Sequence, residues 1–124
     1  MNVLGKHILL DLKDCDRKIL NDLSLVKDAL ISAAQEMGAK ILGESFHKFE
    51  PQGVTGVLPI AESHICVHTW PEHGYAAVDV FTCGQSIEPE RVVESLIKKF
   101  GSQDSSVRIV ERGVFNLDQV EVTV

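Results

Sequence analysis

Cysteine, long apolar runs and positive charge are all scarce in this 124-residue chain. The three cysteines, Cys15, Cys66 and Cys83, form no CxxC pair and cannot all pair within one chain, so a disulfide scaffold is not expected. No apolar run is long enough to span a bilayer, and the N-terminus lacks the apolar core and cleavage site of a signal peptide. We therefore expect a cytoplasmic location and no contact with a membrane.

The deficit of positive charge narrows the range of partners. With 12 basic and 18 acidic residues, the formal net charge is −6, which opposes binding to nucleic acid and is compatible with a cationic ligand. The length fits a single domain covering residues 1–124, large enough for a core but short for an enzyme that must enclose a substrate alone. A dimer in which both protomers line the active site would enclose the substrate more completely.

Phosphate-binding loops, repeats and a complete set of metal ligands are missing as well. His64, Cys66 and His68 alternate along one candidate strand and could share a face. No further closely spaced set completes a tetrahedral site, so we expect no metal.

The stretch from Glu62 to Cys83 is unusually rich in reactive side chains. It holds two of the three cysteines, three of the five histidines and the only Trp and Tyr. Apolar and polar residues alternate on both sides of Pro71-Glu72-His73-Gly74, which predicts a β-hairpin that pairs Trp70 with Tyr75. The same pairing places Glu62 opposite Cys83. This hairpin is the predicted working region of the chain.

A second candidate strand, Val54–Ile60, precedes the hairpin. A tight turn at Ala61-Glu62 would place Thr55 opposite His68, and we expect the three strands to bring Thr55, Ser63, His68 and Cys83 into one neighbourhood. Ser63 and His68 are five positions apart, so a regular strand would point their side chains to opposite faces of the sheet. Contact between them therefore requires Ser63 to lie in the turn or at a bulge.

The remaining elements are predicted from periodicity and end signals. They are a strand Lys6–Leu12, a helix capped by Ser24 and ended by Gly38, a strand Ala39–Phe49, a helix opened by Ser86 and Pro89 and closed by Gly101, and a strand Val107–Val114. The order β-α-β-β-β-α-β predicts an α+β two-layer sandwich, an antiparallel sheet with two helices on one face. We expect a second protomer to cover the other face, as a homodimer.

Several segments in order resemble the short, prokaryotic form of S-adenosylmethionine decarboxylase, a pyruvoyl-dependent enzyme of polyamine synthesis. They are Phe46-His47-Lys48-Phe49, Gly53-Val54-Thr55-Gly56, Glu62-Ser63-His64, His68-Thr69-Trp70-Pro71-Glu72 and Asp79-Val80-Phe81-Thr82-Cys83-Gly84. The resemblance runs from about Gly5 to about Gly113. Each segment alone is weak, and the ordered set is specific.

The resemblance implies that the chain is a proenzyme that cuts itself between Glu62 and Ser63, giving a beta chain 1–62 and an alpha chain 63–124. Ser63 becomes the pyruvoyl cofactor. The family's processing base matches His68. A hydroxyl residue that assists processing matches Thr55, where many relatives have Ser.

For the reaction itself, the resemblance implies a Schiff base between the pyruvoyl group and S-adenosylmethionine, loss of carbon dioxide, and a product used for spermidine synthesis. The family's proton donor matches Cys83. Phe49 and Trp70 match the residues that stack on the adenine ring, and Glu72 matches the carboxylate that holds the ribose hydroxyls.

Two other functions remain open from the sequence. A pyruvoyl enzyme on the same scaffold could decarboxylate arginine or ornithine, and Phe49, Trp70 and Glu72 argue instead for a nucleoside. A homologue that is never processed and regulates an active partner is the other alternative, and intact Ser63 and Cys83 argue against it.

Overall fold

The computed structural model describes residues 2–83 and 89–115 of the chain. A six-stranded sheet has the strand order β2-β3-β4-β5-β1-β6, and every neighbouring pair is antiparallel. The strands are β1 (Asn2–Lys13), β2 (Ser45–Lys48), β3 (Val54–Ile60), β4 (Ser63–Trp70), β5 (Tyr75–Cys83) and β6 (Asp104–Phe115). The helices are α1 (Arg17–Leu20), α2 (Leu23–Glu36) and α3 (Pro89–Phe100), with a short 3-10 turn at Pro71–His73.

The core lies between the helices and one face of the sheet. Alternate residues of the strands are buried there, and they pack against apolar residues of α2 and α3. These core residues include Ile8, Leu10, Leu58, Ile65, Val67 and Val80 from the strands and Val26, Leu30, Val92, Leu96 and Phe100 from the helices. The predicted α+β two-layer architecture is therefore confirmed. The four strands between α2 and α3 correspond to the four strands predicted individually, one more than the predicted order of elements counted.

Two predicted element boundaries are wrong. The first long helix begins at Leu23, because Asp22 and not Ser24 caps it, with the Asp22 carboxylate accepting a hydrogen bond from the Leu25 N–H. In the predicted strand Ala39–Phe49 only Ser45–Lys48 pairs regularly. Before Ser45 the pairing is interrupted and shifts by one residue, because Ile41 forms an isolated bridge with Ile60 and the Leu42 N–H donates a hydrogen bond to the Pro59 carbonyl at 2.9 Å.

The other predictions of secondary structure are close to the observed elements. Gly38 follows α2 with a φ of +75°, and Gly101 follows α3 with a φ of +63°, the left-handed conformation typical of a residue after a helix end. The first and last strands are longer than predicted, and the short helix α1 was missed. Ser86 and the tail from Val120 lie outside the described residues.

Candidate active site

Thr55 and His68 lie directly opposite each other on β3 and β4, as the sequence predicts. Their side chains point to the face of the sheet away from the helices, where Oγ1 of Thr55 lies 3.0 Å from Nδ1 of His68. When Nδ1–H donates this hydrogen bond, the other ring nitrogen keeps its lone pair toward solvent. That tautomer is the one a proton-abstracting base requires.

A cleft of about 240 Å³ surrounds this pair and is lined by Phe49, Thr55, His68, Trp70 and Glu72. Glu72 is exposed on the 3-10 turn. Two aromatic rings and one carboxylate around an open volume can hold a flat heterocycle, a diol or a cation. The structure therefore brings the three predicted binding residues together within one chain.

Packing beneath the cleft fixes the aromatic rings. Phe46 lies over Gly56, where any added Cβ would come within 2.2 Å of the ring, so β2 can approach β3 closely and carry Phe49 to the cleft. On the other side, Tyr75 stacks on Trp70 with ring centroids 5.3 Å apart. The Tyr75 hydroxyl donates a hydrogen bond to the Asp11 carboxylate.

Tyr75 and Asp11 were not identified as functional candidates from the sequence. The signal was present in the predicted pairing of Trp70 with Tyr75, since directly opposite side chains on one face touch. Burial, together with the Asp11 carboxylate, raises the pKa of Tyr75 to about 12. The hydroxyl therefore stays protonated and keeps donating to Asp11 at neutral pH.

Ser63 lies at the opposite end of β4, directly after a two-residue turn at Ala61 and Glu62. Glu62 has a φ of +63°, a left-handed conformation that costs a residue with a side chain roughly 1–2 kcal/mol. The Oγ of Ser63 accepts a hydrogen bond from the backbone N–H of Cys83 at 3.3 Å. Cys83 is half-buried at the end of β5. Ser63 and Cys83 thus form a second polar centre.

The two centres do not meet within one chain. Ser63 begins β4, and the register with β3 runs without a bulge from Ser63 to His68, so the Cα atoms of these residues are about 16 Å apart. The expected neighbourhood of Thr55, Ser63, His68 and Cys83 is therefore wrong for a single chain. The pairs Thr55–His68 and Trp70–Tyr75 were predicted correctly, whereas Glu62 lies in the turn and is not paired with Cys83. Five residues of extended strand separate the two ends.

Between the two centres lies a row of aromatic and ionisable side chains on the same face. His64 stacks on Phe81, with centroids 5.8 Å apart, and His7 meets Phe81 edge-on. Nε2 of His7 lies 3.3 Å from Oδ1 of Asp79, at ion-pair distance but without the geometry of a hydrogen bond. Burial, and secondarily the Asp79 carboxylate, raises the pKa of the Cys66 thiol.

Two general features of the described residues bear on the kind of site. Among residues 2–83 and 89–115, no three His, Cys, Asp or Glu side chains are arranged to hold a metal ion. Within the same ranges, no helix has the length and apolar character needed to cross a membrane.

Comparisons with known proteins agree on one family. The family described as S-adenosylmethionine decarboxylase matches residues 6–113. The chain is similar to the S-adenosylmethionine decarboxylase proenzymes of Acetivibrio thermocellus, at 48% identity over 115 residues and 93% of both chains, and of Moorella thermoacetica, at 48% identity over 119 residues, 96% of this chain and 95% of that protein. The crystal structure of the adenosylmethionine decarboxylase of Aquifex aeolicus superposes with a TM-score of 0.86 at 31% identity, covering 98% of this chain and 100% of that one.

Proposed function

The chain belongs to the S-adenosylmethionine decarboxylase family, and from that membership we propose that it removes carbon dioxide from S-adenosylmethionine with a pyruvoyl group made from its own Ser63. The product is the aminopropyl donor for spermidine. One observation carries the proposal: Ser63 follows a tight turn in a left-handed conformation and its hydroxyl oxygen is held by the Cys83 N–H. A cytoplasmic location remains a prediction from the sequence.

The arrangement around Ser63 suits self-cleavage. The Oγ of Ser63 attacks the Glu62 carbonyl carbon, an O–C bond forms, the C–N bond breaks and the proton passes to nitrogen. A base then removes the Ser63 α-proton, the Cβ–Oγ bond breaks and Glu62 leaves as a carboxylate. Tautomerisation and hydrolysis leave a pyruvoyl group on the new N-terminus and release ammonia. Because the turn is exposed, water reaches this point.

The base for this elimination cannot be the His68 of the same chain. Proton abstraction requires heavy atoms within hydrogen-bond distance, about 3 Å, and the two residues are separated by about 16 Å of strand. His68 nonetheless has the exposure and the Thr55 hydrogen bond that suit a base. A symmetric homodimer resolves the conflict when the partner's His68 reaches Ser63.

The position of the binding cleft also favours a site shared between two protomers. Phe49, Trp70 and Glu72 surround the cleft at the His68 end, while Cys83 lies beside Ser63. We therefore assign the adenine ring to Phe49 and Trp70, and the ribose hydroxyls to Glu72, on one protomer. Ser63 and Cys83 of the other protomer then face the methionine part.

The residues have separate roles in the reaction. The pyruvoyl group supplies an acceptor for the electrons that the departing carbon dioxide leaves behind. Cys83 donates a proton to the α-carbon after decarboxylation. The aromatic faces of the cleft favour the sulfonium charge and orient the substrate, and Glu72 adds a compensating negative charge.

Intact-protein mass spectrometry of wild type and Ser63→Ala tests the cofactor. We expect fragments 1–62 and 63–124, the second with a pyruvoyl end, and an intact Ser63→Ala chain. The cleaved protein should release labelled carbon dioxide from carboxyl-labelled S-adenosylmethionine. A wild-type chain that stays uncleaved would have no pyruvoyl group, which would contradict the proposal. Release of carbon dioxide from arginine or ornithine but not from S-adenosylmethionine would contradict the proposed substrate.

Mixed dimers test whether the site is shared. Ser63→Ala supplies a working His68 and His68→Ala supplies a working Ser63, so neither variant should cleave alone. When both are co-expressed with different tags, the His68→Ala chain should be cleaved and the Ser63→Ala chain should remain intact. If the His68→Ala chain stays whole in purified mixed dimers, then His68 does not act across the interface.

A further inference from the structure

The short helix α1 is hydrogen-bonded to the two strands that carry the residues of the cleft. The buried hydroxyl of Thr69 donates a hydrogen bond to the Leu20 carbonyl at 2.8 Å and accepts one from the Val54 N–H at 2.8 Å. Thr69 lies between His68 and Trp70 on β4, whose side chains point to the opposite face of the sheet. One hydroxyl group therefore holds the C-terminal end of α1 against both β3 and β4.

Asn21, the residue after Leu20, extends this contact to the loop between β2 and β3. Oδ1 of Asn21 accepts a hydrogen bond from the Gly53 N–H at 3.0 Å. The Gly53 carbonyl in turn accepts a hydrogen bond from the Phe49 N–H at 2.8 Å, which closes the loop 49–53. Two successive hydrogen bonds thus lead from the Asn21 side chain to the backbone of Phe49.

Gly53 depends on these hydrogen bonds because it has no side chain to pack. Its φ is +106°, and an added Cβ would lie 3.2 Å from the Thr69 carbonyl oxygen. Gly53 is also buried, so removal of the Asn21 amide would leave its N–H without a partner and away from water. The loop would have to move for that N–H to reach another acceptor.

The end of α1 does not itself require an asparagine. Asn21 caps this end with a φ of −99° and a ψ of 7°, angles that are common in turns and need no special residue. Its backbone N–H, and not its side chain, donates to the Ile19 carbonyl. The side chain of Asn21 is therefore available to hold the loop.

We propose that Asn21 is a positioning residue for the adenine end of the substrate cleft, an inference that rests on the proposed function. Asn21 does not line the cleft of about 240 Å³, whereas Phe49 and Trp70 do. It acts through Gly53 on the backbone of Phe49, whose ring is 46% exposed. A loop that is ordered before the substrate arrives loses less conformational freedom on binding, so the affinity for the nucleoside is higher.

Binding of methylthioadenosine tests this role separately from decarboxylation. This nucleoside has the adenine and the ribose but no amino group for a Schiff base, and stacking on Trp70, the single tryptophan, is measured as fluorescence quenching. Asn21→Ala should raise the dissociation constant roughly 2- to 13-fold, the range for one lost hydrogen bond. Asn21→Asp keeps an oxygen acceptor and should bind within about twofold of wild type.

A double substitution tests whether Asn21 acts through Phe49. In a Phe49→Ala background the ring to be positioned is absent, so adding Asn21→Ala should leave the dissociation constant unchanged. An equal weakening with and without the Phe49 ring would overturn the inference. Wild-type affinity in Asn21→Ala, or an affinity of Asn21→Asp as low as that of Asn21→Ala, would overturn it too. Failure of the proposed function is distinguishable, because wild type itself would then stay uncleaved or would not bind the nucleoside.

Discussion

At the scale of single residues, the contact between Thr55 Oγ1 and Nδ1 of His68 leaves Nε2 as the free nitrogen for the proposed base when Nδ1–H donates the hydrogen bond. Thr55 offers the same hydroxyl oxygen that a serine would, with an added methyl group. The oxygen alone matters for orienting the imidazole. The two roles of Thr55, hydrogen bonding and packing, can therefore be separated by substitution.

Thr55→Val should slow self-cleavage, and Thr55→Ser should not. Loss of the hydrogen bond costs about 0.5–1.5 kcal/mol, which corresponds to roughly a 2- to 13-fold lower rate if the bond holds the imidazole in its working orientation. The measurement is a mass-spectrometric time course after expression or refolding. A Thr55→Val chain that is cleaved at the wild-type rate would show that orientation of His68 does not depend on this contact.

The single tyrosine gives a spectroscopic test of the residues that support Trp70. Ultraviolet titration should find the pKa of Tyr75 at about 12, above its ordinary value of 10, because burial and Asp11 disfavour the phenolate. Asp11→Asn should lower this pKa, since the carboxylate no longer opposes the negative charge.

The sign of the linked effect on stability follows from the raised pKa. The folded chain holds the Tyr75 proton more tightly than the unfolded chain does, so this contribution is complete below pH 10 and is lost as the pH rises toward 12. A pKa of Tyr75 near 10 in the native protein would contradict the hydrogen bond to Asp11.

At the scale of elements, the turn between β3 and β4 joins a strained residue to the proposed cleavage point. Glu62 is held at a φ of +63° because β3 and β4 pair up to Ile60 and Ser63, which leaves only two residues for the turn. Hairpin turns of this length usually have Asn or Gly at left-handed positions. Formation of the ester would add rotatable bonds at this point and relax Glu62.

Glu62→Gly should therefore be cleaved more slowly than wild type. Glycine adopts this φ without cost, so about 1 kcal/mol of strain is absent before the reaction and the rate should fall about fivefold. Glu62→Gln is the matched control, because it removes the charge and keeps the conformational cost, and its rate should stay near that of wild type. Faster cleavage of Glu62→Gly would rule out a contribution from strain.

The elements also show what sequence patterns could and could not predict. Turn chemistry and alternation were sufficient for the register of β3, β4 and β5, down to Thr55 opposite His68. They could not place the N-terminal end of α2, where Asp22 and Ser24 are both good caps and tertiary packing decides. Sequence patterns also predicted which residues lie opposite each other but not how far apart successive pairs lie along the strands. The distance between Ser63 and His68 along β4 was therefore missed.

At the scale of the whole molecule, the uncovered sheet face is the feature that one chain cannot complete. Residues next to each other on the edge strand β6 point to opposite faces of the sheet, so a single strand offers both a test position and a control. Val110 pairs with His7 and lies on the outer face, while Ile109 pairs with the buried Ile8 and lies on the helix side. Both are exposed in the single chain, at 36% and 48%.

Val110→Asp should weaken self-association, because it would bury a charge in the face that we assign to the dimer, and the cost of such burial is large. Ile109→Asp places the same charge one residue away on the other face and should leave association unchanged. Sedimentation or light scattering over a dilution series measures the difference, and cleavage should fail together with dimer formation if His68 acts across the interface. If Ile109→Asp weakened association more than Val110→Asp, the dimer contact would lie on the helix side of β6, where Val107 and Phe115 are also exposed. The dimer would then form through a face that does not carry Ser63 and His68, and dimer formation would not complete the site.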